Sequence, residues 1–370
     1  MKRIYKNERL VRYALRFIIS LSLIIAVTFG GMVSPAMALD ISDWKYPSEY
    51  HDTINEAATD LLAGLKQHLV QIPVGYLTED ISEDVPFLWD IYHTATKHTG
   101  DPKEGDYLRW QLGVCQGGYL YYPGPGVKEV SLLYTPTYYT TLEQEEQLDV
   151  AIQALLDELN LYDATDYGKI VGVYDWICEN VTYDNEHVSD PDYKLMRTAY
   201  GAMFNKTAVC QGYAVLLYRL LLELGVDNRV ITGYGNGGYH AWNIVKLDGF
   251  YYNVDVTWDA TWHQAGLEYN FLLCSDEEFG DHVRDEEYLT ASFCRTYPMV
   301  GTEQTILFGD ADGNGEVSVL DAMVVAQYIV GDLTEEQINM AAADVDHNGQ
   351  VSVLDAMMIA QFIVGDIDSF

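Results

Sequence analysis

The chain has 370 residues, 49% hydrophobic and 13% aromatic, with 21 Lys and Arg against 56 Asp and Glu, for a formal net charge of −35. That length allows about two domains with sizeable cores, and the anionic balance excludes nucleic acid as a partner, because phosphate binding needs cationic side chains. Five cysteines are too few for a disulfide scaffold and odd in number, so at least one thiol is expected to stay unpaired.

The first sixteen residues hold six Lys or Arg, an apolar run follows from Phe17 to Val33, and Ala36-Met37-Ala38 supplies a small-residue cleavage pattern. Residues 1–38 therefore read as a secretory signal peptide. Ser20, Ser22, Thr28, Gly30 and Gly31 interrupt the run, which makes a retained anchor the weaker reading. No later stretch could span a bilayer, so no membrane association is expected once the signal is cleaved. Its removal leaves 15 bases against 55 acids.

Two amphipathic helices are predicted, over Asp52 to Leu69 and Leu142 to Leu159; the second has Leu148, Ala151, Leu155 and Leu159 at helical spacing. These early helices are expected to pack around the later motif. Between them lies a Tyr-rich segment, with Tyr119, Tyr121, Tyr122, Tyr134, Tyr138 and Tyr139 around Pro123-Gly124-Pro125-Gly126. Such tyrosines read first as half-buried strand residues, with a ligand role second. A third helix, Tyr167 to Val181, places Ile170, Tyr174 and Ile177 on one face and Cys178 in its core.

Cys-Gln-Gly occurs twice, at Cys115 and at Cys210. From Cys210 to Leu224 the sequence is apolar almost all round, with Arg219 and Glu223 spaced i,i+4 and Gly225 beyond the end, so it reads as a buried helix. Cys210 then sits in the first turn, where the helix dipole and free amides favour a thiolate. Cys115 precedes a strand and has no such support, so its reading is structural. Cys115, Cys274 and Cys294 are left open between pairing and reduction.

Downstream, "GYHAWNIVKLDGFYYNVDVTWD" reads as two strands joined by Asp248-Gly249. In that register Leu247 faces Phe250, His240 faces Thr257, and Asp255 is the diagonal neighbour of His240, roughly 7 to 8 Å away between Cα atoms. The spacing allows Asp255 to orient His240 and His240 to accept the proton of Cys210, the logic of covalent acyl transfer.

The C-terminal 75 residues contain no Lys or Arg, and "DADGNGEVSVLDAMVVAQYIVGDL" from Asp310 recurs 34 residues later from Asp344 with 17 of 24 positions identical. Each copy places oxygen-bearing side chains at loop positions 1, 3 and 5, Gly at 6 and a carboxylate at 12, which suits calcium. The assigned ligands are Asp310, Asp312, Asn314 and Asp321, and Asp344, Asp346, Asn348 and Asp355. Glu316 and Gln350 would add backbone carbonyls, and Ser318 and Ser352 hydroxyls or bridging waters. Each loop runs into a helix, Asp321 to Val330 and Asp355 to Val364, and Thr334 to Gln337 offers a capping box for a connecting helix.

These repeats resemble the type I dockerin family, calcium-dependent modules that plug an enzyme into a cohesin domain on a scaffold protein. The resemblance implies partner contacts at Val319, Leu320, Ala326 and Gln327, and at Val353, Leu354, Ala360 and Gln361. A hydroxyl pair common at the first two of those positions is replaced here by apolar residues. Separately, "YGAMFNKTAVCQGYAVLLYRLLLELG", "GYHAWNIV" and "YYNVDVTWD" look like the core of the transglutaminase-like superfamily. That resemblance implies Cys210 as nucleophile, His240 as base and Asp255 as orienter. The oxyanion donor falls to the Cys210 N–H, with Tyr200 a weaker candidate.

The expected architecture is α+β: a papain-like transglutaminase core in which the Cys-bearing helix packs on an antiparallel sheet, plus a small all-α calcium-binding dockerin. The expected boundaries are signal 1–38, catalytic domain 39–295 with core 166–285, linker 296–308 and dockerin 309–370. The expected protein is a secreted, extracellular enzyme of a cell-surface, cellulosome-type complex, with a cohesin partner and a protein or peptide substrate. It would carry two calcium ions in the dockerin and no catalytic cofactor. Hydrolysis of amides by a protease or amidase is favoured over cross-linking. The alternatives are a non-catalytic binding or structural component and an accessory role in polysaccharide degradation. A glycosidase would need two opposed carboxylates, and no pair stands out.

Overall fold

The computed structural model describes residues 25–27, 44–79, 81, 86–121, 126–301, 307–334, 337–346 and 350–367. The expected cleavage motif, Ala36 to Ala38, lies outside the described residues. The chain forms two compact units, 1–146 and 147–370. Among the described residues no helix is long and apolar enough to cross a membrane.

The first unit holds β1 (Ile25–Val27), α1 (Ile54–Lys66), β2 (Ile72–Thr78), α2 (Pro86–Ala95), α3 (Asp106–Gln111), β3 (Leu112–Tyr121) and β4 (Lys128–Tyr138). Its four strands lie in the order β1-β3-β4-β2, antiparallel throughout; β1 falls within the expected signal segment 1–38, so the sheet of a processed chain is β3-β4-β2. Thr53 caps α1 by accepting from the Glu56 N–H at 3.2 Å. Ala57, Leu61 and Leu65 then repeat every four residues on one face and bury against Ile72, Val74, Val130 and Leu132. Each buried leucine contributes about 1.5 to 3 kcal/mol. For α1 this differs from the expectation that the early helices wrap the later motif: its apolar face is consumed by its own sheet. Tyr134 is buried with its hydroxyl donating to the Leu88 carbonyl at 2.7 Å, and Tyr119 and Tyr121 are half-buried on β3. These three tyrosines thus sit as strand residues; Tyr122 and Pro123 to Pro125 lie outside the described residues.

The second unit begins within α4 (Leu142–Leu159) and continues with α5 (Asp166–Asn180), β5 (Thr182–Tyr183), β6 (Thr207–Ala208) and α6 (Cys210–Glu223). Then follow β7 (Asn228–Gly235), β8 (Gly238–Leu247), β9 (Phe250–Val254), α7 (Val256–Gln264), β10 (His282–Arg284) and α8 (Ala291–Thr296). Four antiparallel strands order as β10-β7-β8-β9, and α6 packs on β7 and β8. The α+β class is thus the one expected. Asp248 and Gly249 both have positive φ, 51° and 88°, as a tight primed turn requires. Leu247 accordingly pairs with Phe250.

One expectation about this hairpin fails. The ladder stops at Asn243 paired with Val254, so His240 has no strand partner at Thr257. Asp255 leaves the sheet to become the N-cap of α7, accepting from the Thr257 and Trp258 amides. Those amides would otherwise be orphaned at the helix start, so the capping carboxylate overrides the strand propensity of Val256 and Thr257.

The C-terminal module contains α9 (Val319–Val330), α10 (Met340–Ala343) and α11 (Val353–Ile363). Ala311 and Val345, and Val325 and Ile359, are equivalent residues of the two repeats and share one small core. Ser318 and Ser352 cap α9 and α11 in capping boxes with Asp321 and Asp355. The helices begin two residues earlier than predicted for that reason. In the connector, Gln337 accepts at its side chain from the Thr334 N–H at 3.0 Å. The described helix there is only Met340–Ala343, capped by Asn339.

Candidate functional site

The position of Cys210 follows from how α6 is fastened. Asn243 of β8 donates from Nδ2 to the Ala214 carbonyl at 3.1 Å, and Asn228 of β7 donates to the Tyr218 carbonyl at 3.3 Å. Both asparagines are fully buried, so these bonds fix the register of helix on sheet. At the N-terminal end Gly212 permits close approach: a Cβ there would lie 2.5 Å from the Met196 carbonyl oxygen and 2.8 Å from the Ala208 Cβ. Cys210 is thereby the first residue of α6, partly accessible, facing His240 three residues before Asn243 on β8.

His240 Nε2 lies 2.8 Å from Asp255 Oδ2. With that nitrogen engaged, Nδ1 is the one left for the Cys210 thiol. Burial alone would lower the basicity of His240, but its hydrogen bonds to Asp255 and to Cys210, with the charges of both, outweigh burial and raise its pKa to about 10. The ring stacks on Trp258 at 5.1 Å between centroids. Asp255 is fully buried. Burial would push its carboxyl up, yet hydrogen bonds from His240 and from His282 hold it below the ordinary carboxylate value. Its Oδ1 accepts from the Thr257 N–H at 2.9 Å and the Trp258 N–H at 3.3 Å.

The remaining thiols have different surroundings. Cys115, Cys178 and Cys274 are buried and Cys294 is exposed, all unbridged. Burial pushes Cys115 up to about 12 and Cys274 to about 11, and raises Cys178 as well. Tyr200, the weaker oxyanion candidate, donates instead to the Gln147 side chain at 3.0 Å. Two residues near the thiol were missed by the sequence reading. Tyr183 of β5 feels the charge of Cys210 and is raised, chiefly by burial, to about 12. His282 of β10 reaches Asp255 Oδ2 at 3.2 Å. No spacing rule links either to the three motifs.

In the C-terminal module one carboxylate oxygen each from Asp310, Asp312 and Asp321 lie within 4.8 Å of one another, and the same holds for Asp344, Asp346 and Asp355. Asp321 and Asp355 are fully buried, and Asp310 Oδ1 is buried without a hydrogen-bond partner. Asp312 is raised by burial first and then by the charges of Asp321 and Asp310. Buried like charges converging with an unpartnered oxygen fit a hard divalent cation. Asn314 Oδ1 accepts from the Glu316 N–H at 2.8 Å, which shapes the turn. The Asp355 Oδ1 of the second loop accepts from the Val345 and Asp346 amides at 3.0 and 3.2 Å. Gln350 opens the second half of that loop, and Asn348 lies outside the described residues. Val319, Leu320, Ala326 and Gln327 are exposed along α9, and Val353, Leu354, Ala360 and Gln361 along α11. Met323 and Met357, which the sequence reading passed over, extend the same faces.

Residues 153–256 match the sequence model of the transglutaminase-like superfamily, and residues 308–364 match that of the dockerin type I domain. The protein thus carries a transglutaminase-like domain followed by a type I dockerin domain. Over 133 residues it is 30% identical to kyphoscoliosis peptidase of Homo sapiens, covering 33% of this chain and 19% of that protein. Over 160 residues it is 31% identical to kyphoscoliosis peptidase of Mus musculus, covering 38% and 23% respectively. The chain therefore spans about a fifth of the length of the curated relatives it matches. A solved dockerin in complex with a cohesin, from Acetivibrio cellulolyticus, is 34% identical and covers 18% of this chain and 93% of its own, with a TM-score of 0.17. A crystal structure of a TGase is 17% identical, covers 50% of this chain and 51% of its own, and has a TM-score of 0.30.

Proposed function

We propose that the transglutaminase-like domain is a thiol enzyme that hydrolyses amide bonds in a protein or peptide substrate. The observation that carries this reading is the bond between His240 and the buried Asp255 beside a thiol that opens a helix. In the attack step the Cys210 sulfur adds to the carbonyl carbon, and the developing oxyanion is met by the Cys210 N–H. The C–N bond then breaks as His240 Nδ1 gives its proton to the leaving amine, leaving a thioester. Water attacks that thioester with His240 taking its proton, and collapse expels the thiolate and frees the acid. Asp255 keeps the proton of Nε2 in place throughout, so Nδ1 stays free to shuttle.

An amine acceptor in the last step would give cross-linking by the same residues. Hydrolysis is favoured because water is in excess outside the cell and no feature selects lysine.

The dockerin would hold calcium through Asp310, Asp312, Asn314, Glu316 and Asp321 in one loop and Asp344, Asp346, Asn348, Gln350 and Asp355 in the other. Calcium would supply the positive charge around which each loop closes. The exposed faces of α9 and α11 are then suited to a cohesin of a scaffold protein, placing a secreted enzyme of domains 39–295 and 309–370 in an extracellular complex.

The test is mass spectrometry of a denatured protein mixture after incubation. New chain ends bearing the mass of water, absent with Cys210→Ala, are the expected result. Isopeptide-linked products would move the reading to cross-linking, and identical digests from both proteins would leave a binding component.

A further inference from the structure

Asp255 has a fourth hydrogen-bond donor, His282, which no spacing rule in the sequence pointed to. Its Nε2 lies 3.2 Å from the same Oδ2 that His240 engages at 2.8 Å. The imidazole is 1% exposed and sits in an aromatic cage, 3.9 Å from the Phe279 centroid and 4.3 Å from that of Trp258. Its other nitrogen, Nδ1, is buried with no hydrogen-bond partner. A phenylalanine would fill such a cage without that unsatisfied nitrogen, so packing alone does not account for an imidazole here. What the ring adds is one N–H aimed at the acid.

The backbone is built to deliver it. β10 is a three-residue edge strand whose His282 pairs with Gly235 of β7. At the neighbouring Gly233, a Cβ would lie 1.9 Å from the Val283 carbonyl oxygen, so β10 comes this close only because the side chain is missing.

We propose that His282 is a positioning residue of the thiol site: its Nε2–H shares Asp255 Oδ2 with His240 and holds that oxygen in line with the His240 Nε2–H. This rests on the reading of Cys210, His240 and Asp255 given above. A fully buried carboxylate with four donors has little freedom to rotate. With three, Oδ2 can turn away from His240, and the anion is less stabilised. His240 then loses part of the partner that stabilises its protonated form, and the acid limb of any process needing the Cys210–His240 ion pair moves to higher pH.

The ionisable groups facing Asp255 set what else could move that limb. Besides the two imidazoles they are Asp259 on α7, Tyr174 and Cys178 on α5, Tyr183 on β5, and Tyr213 and Cys210 on α6. Burial drives Tyr174, Cys178, Tyr183 and Tyr213 upward, away from the acid range. Asp259 is raised by burial but is satisfied by Tyr174 and the Asn270 and Phe271 amides, none of which involve His282. The charge of Asp255 also raises it, so any change at Asp259 in the variants below follows the change at Asp255.

The experiment measures iodoacetamide alkylation of Cys210 in the full chain against pH, by peptide mass spectrometry, in wild type, His282→Phe and His282→Gln. Thermal melts report folding. Phenylalanine keeps the ring in its cage and loses the donor; glutamine keeps a donor of similar reach. The expected result is an acid limb about one pH unit higher in His282→Phe, with the limb largely restored in His282→Gln. On any cleaved substrate, kcat should fall about tenfold in His282→Phe with KM unchanged. Coincident profiles for wild type and His282→Phe overturn the proposal. If His282→Phe does not fold, a His282→Gln limb displaced by the same unit overturns it, because the donor is then not what matters. Wild-type Cys210 reacting no faster than Cys294 overturns the thiol reading itself, an outcome separate from coincident variant profiles.

Discussion

Replacing Asp255 by Asn tests the orientation of His240 with almost no change of shape. An asparagine can still cap α7 by presenting its oxygen to the Thr257 and Trp258 amides, which lie 2.9 and 3.3 Å from Oδ1. Its NH2 then meets His240 Nε2 at 2.8 Å and His282 Nε2 at 3.2 Å. Two donors cannot face a third, so His240 is expected to move its proton to Nδ1 and accept at Nε2. That tautomer cannot take a proton from Cys210. The pKa of His240 stands at about 10 against an ordinary 6.5, a difference of about 5 kcal/mol. Asp255 and Cys210 share it, and a hydrogen bond to a charged group is worth about 1.5 to 3 kcal/mol. About half the difference is thus assigned to Asp255. Loss of that hydrogen bond weakens the pairing of His240 with Cys210, so alkylation of Cys210 should slow by about one to two orders of magnitude. Turnover should fall further, by about four orders, because the tautomer is wrong as well. The assay is the second-order rate of Cys210 alkylation between pH 5 and 10, with cleavage measured in parallel. Alkylation and turnover within a factor of three of wild type would refute the reasoning.

Gly212→Ala drives a Cβ to 2.5 Å from the Met196 carbonyl oxygen, so the Cys210 end of α6 must shift; a loss of about 2 kcal/mol in chemical denaturation is expected, and an unchanged midpoint would contradict the packing. Calcium removal with EDTA should lower the melting temperature of the C-terminal module and leave Cys210 alkylation unaltered, and calorimetric titration of the chelated chain should show binding that Asp310→Ala together with Asp344→Ala abolishes. No heat in wild type would contradict the assignment of the loops. The site also sets a pH window for stability. Asp255 is held below its ordinary 3.8, so its contribution is complete above that value and is lost as pH falls through the lower folded one. His240 is raised from 6.5 to about 10, so its contribution is complete below 6.5 and is lost as pH rises through about 10. Denaturation midpoints should therefore plateau between about pH 4 and 6.5 and decline toward 10; a midpoint still rising at pH 9 would contradict this.

Much of the fold is written in local pattern. The period of Leu148, Leu155 and Leu159 marked α4 to the residue, and Asp248-Gly249 set the register of β8 on β9. Both are properties of neighbouring residues. The convergence of Asp310, Asp312 and Asp321, and of Asp344, Asp346 and Asp355, was legible because the duplication repeats their spacing. What was not legible depends on long-range competition. Val256 and Thr257 favour a strand, but two amides needing a cap turned them into a helix, and only the sheet's end at Val254 decides that. The first of the early helices was misplaced because amphipathicity says that a face is buried without saying against what; Ile72, Val74 and Leu132 decided it for α1, whereas α4 does lie with the later motif, its Asp149 pairing with Arg219 of α6. His282 comes 27 residues after Asp255 in an unremarkable polar stretch, and only the missing side chain of Gly233 admits its strand to the site.

The most direct measurement is a competition of the five thiols for limiting iodoacetamide near pH 6, quantified peptide by peptide. Cys294 is exposed while Cys210 is only partly accessible, so access alone favours Cys294. The thiolate is the attacking form, and a thiol beside an imidazole at the start of a helix is the one placed to react. We predict that Cys210 reacts at least about tenfold faster than Cys294. Labelling that follows exposure, with Cys294 first and Cys210 behind it, would contradict the account at its centre.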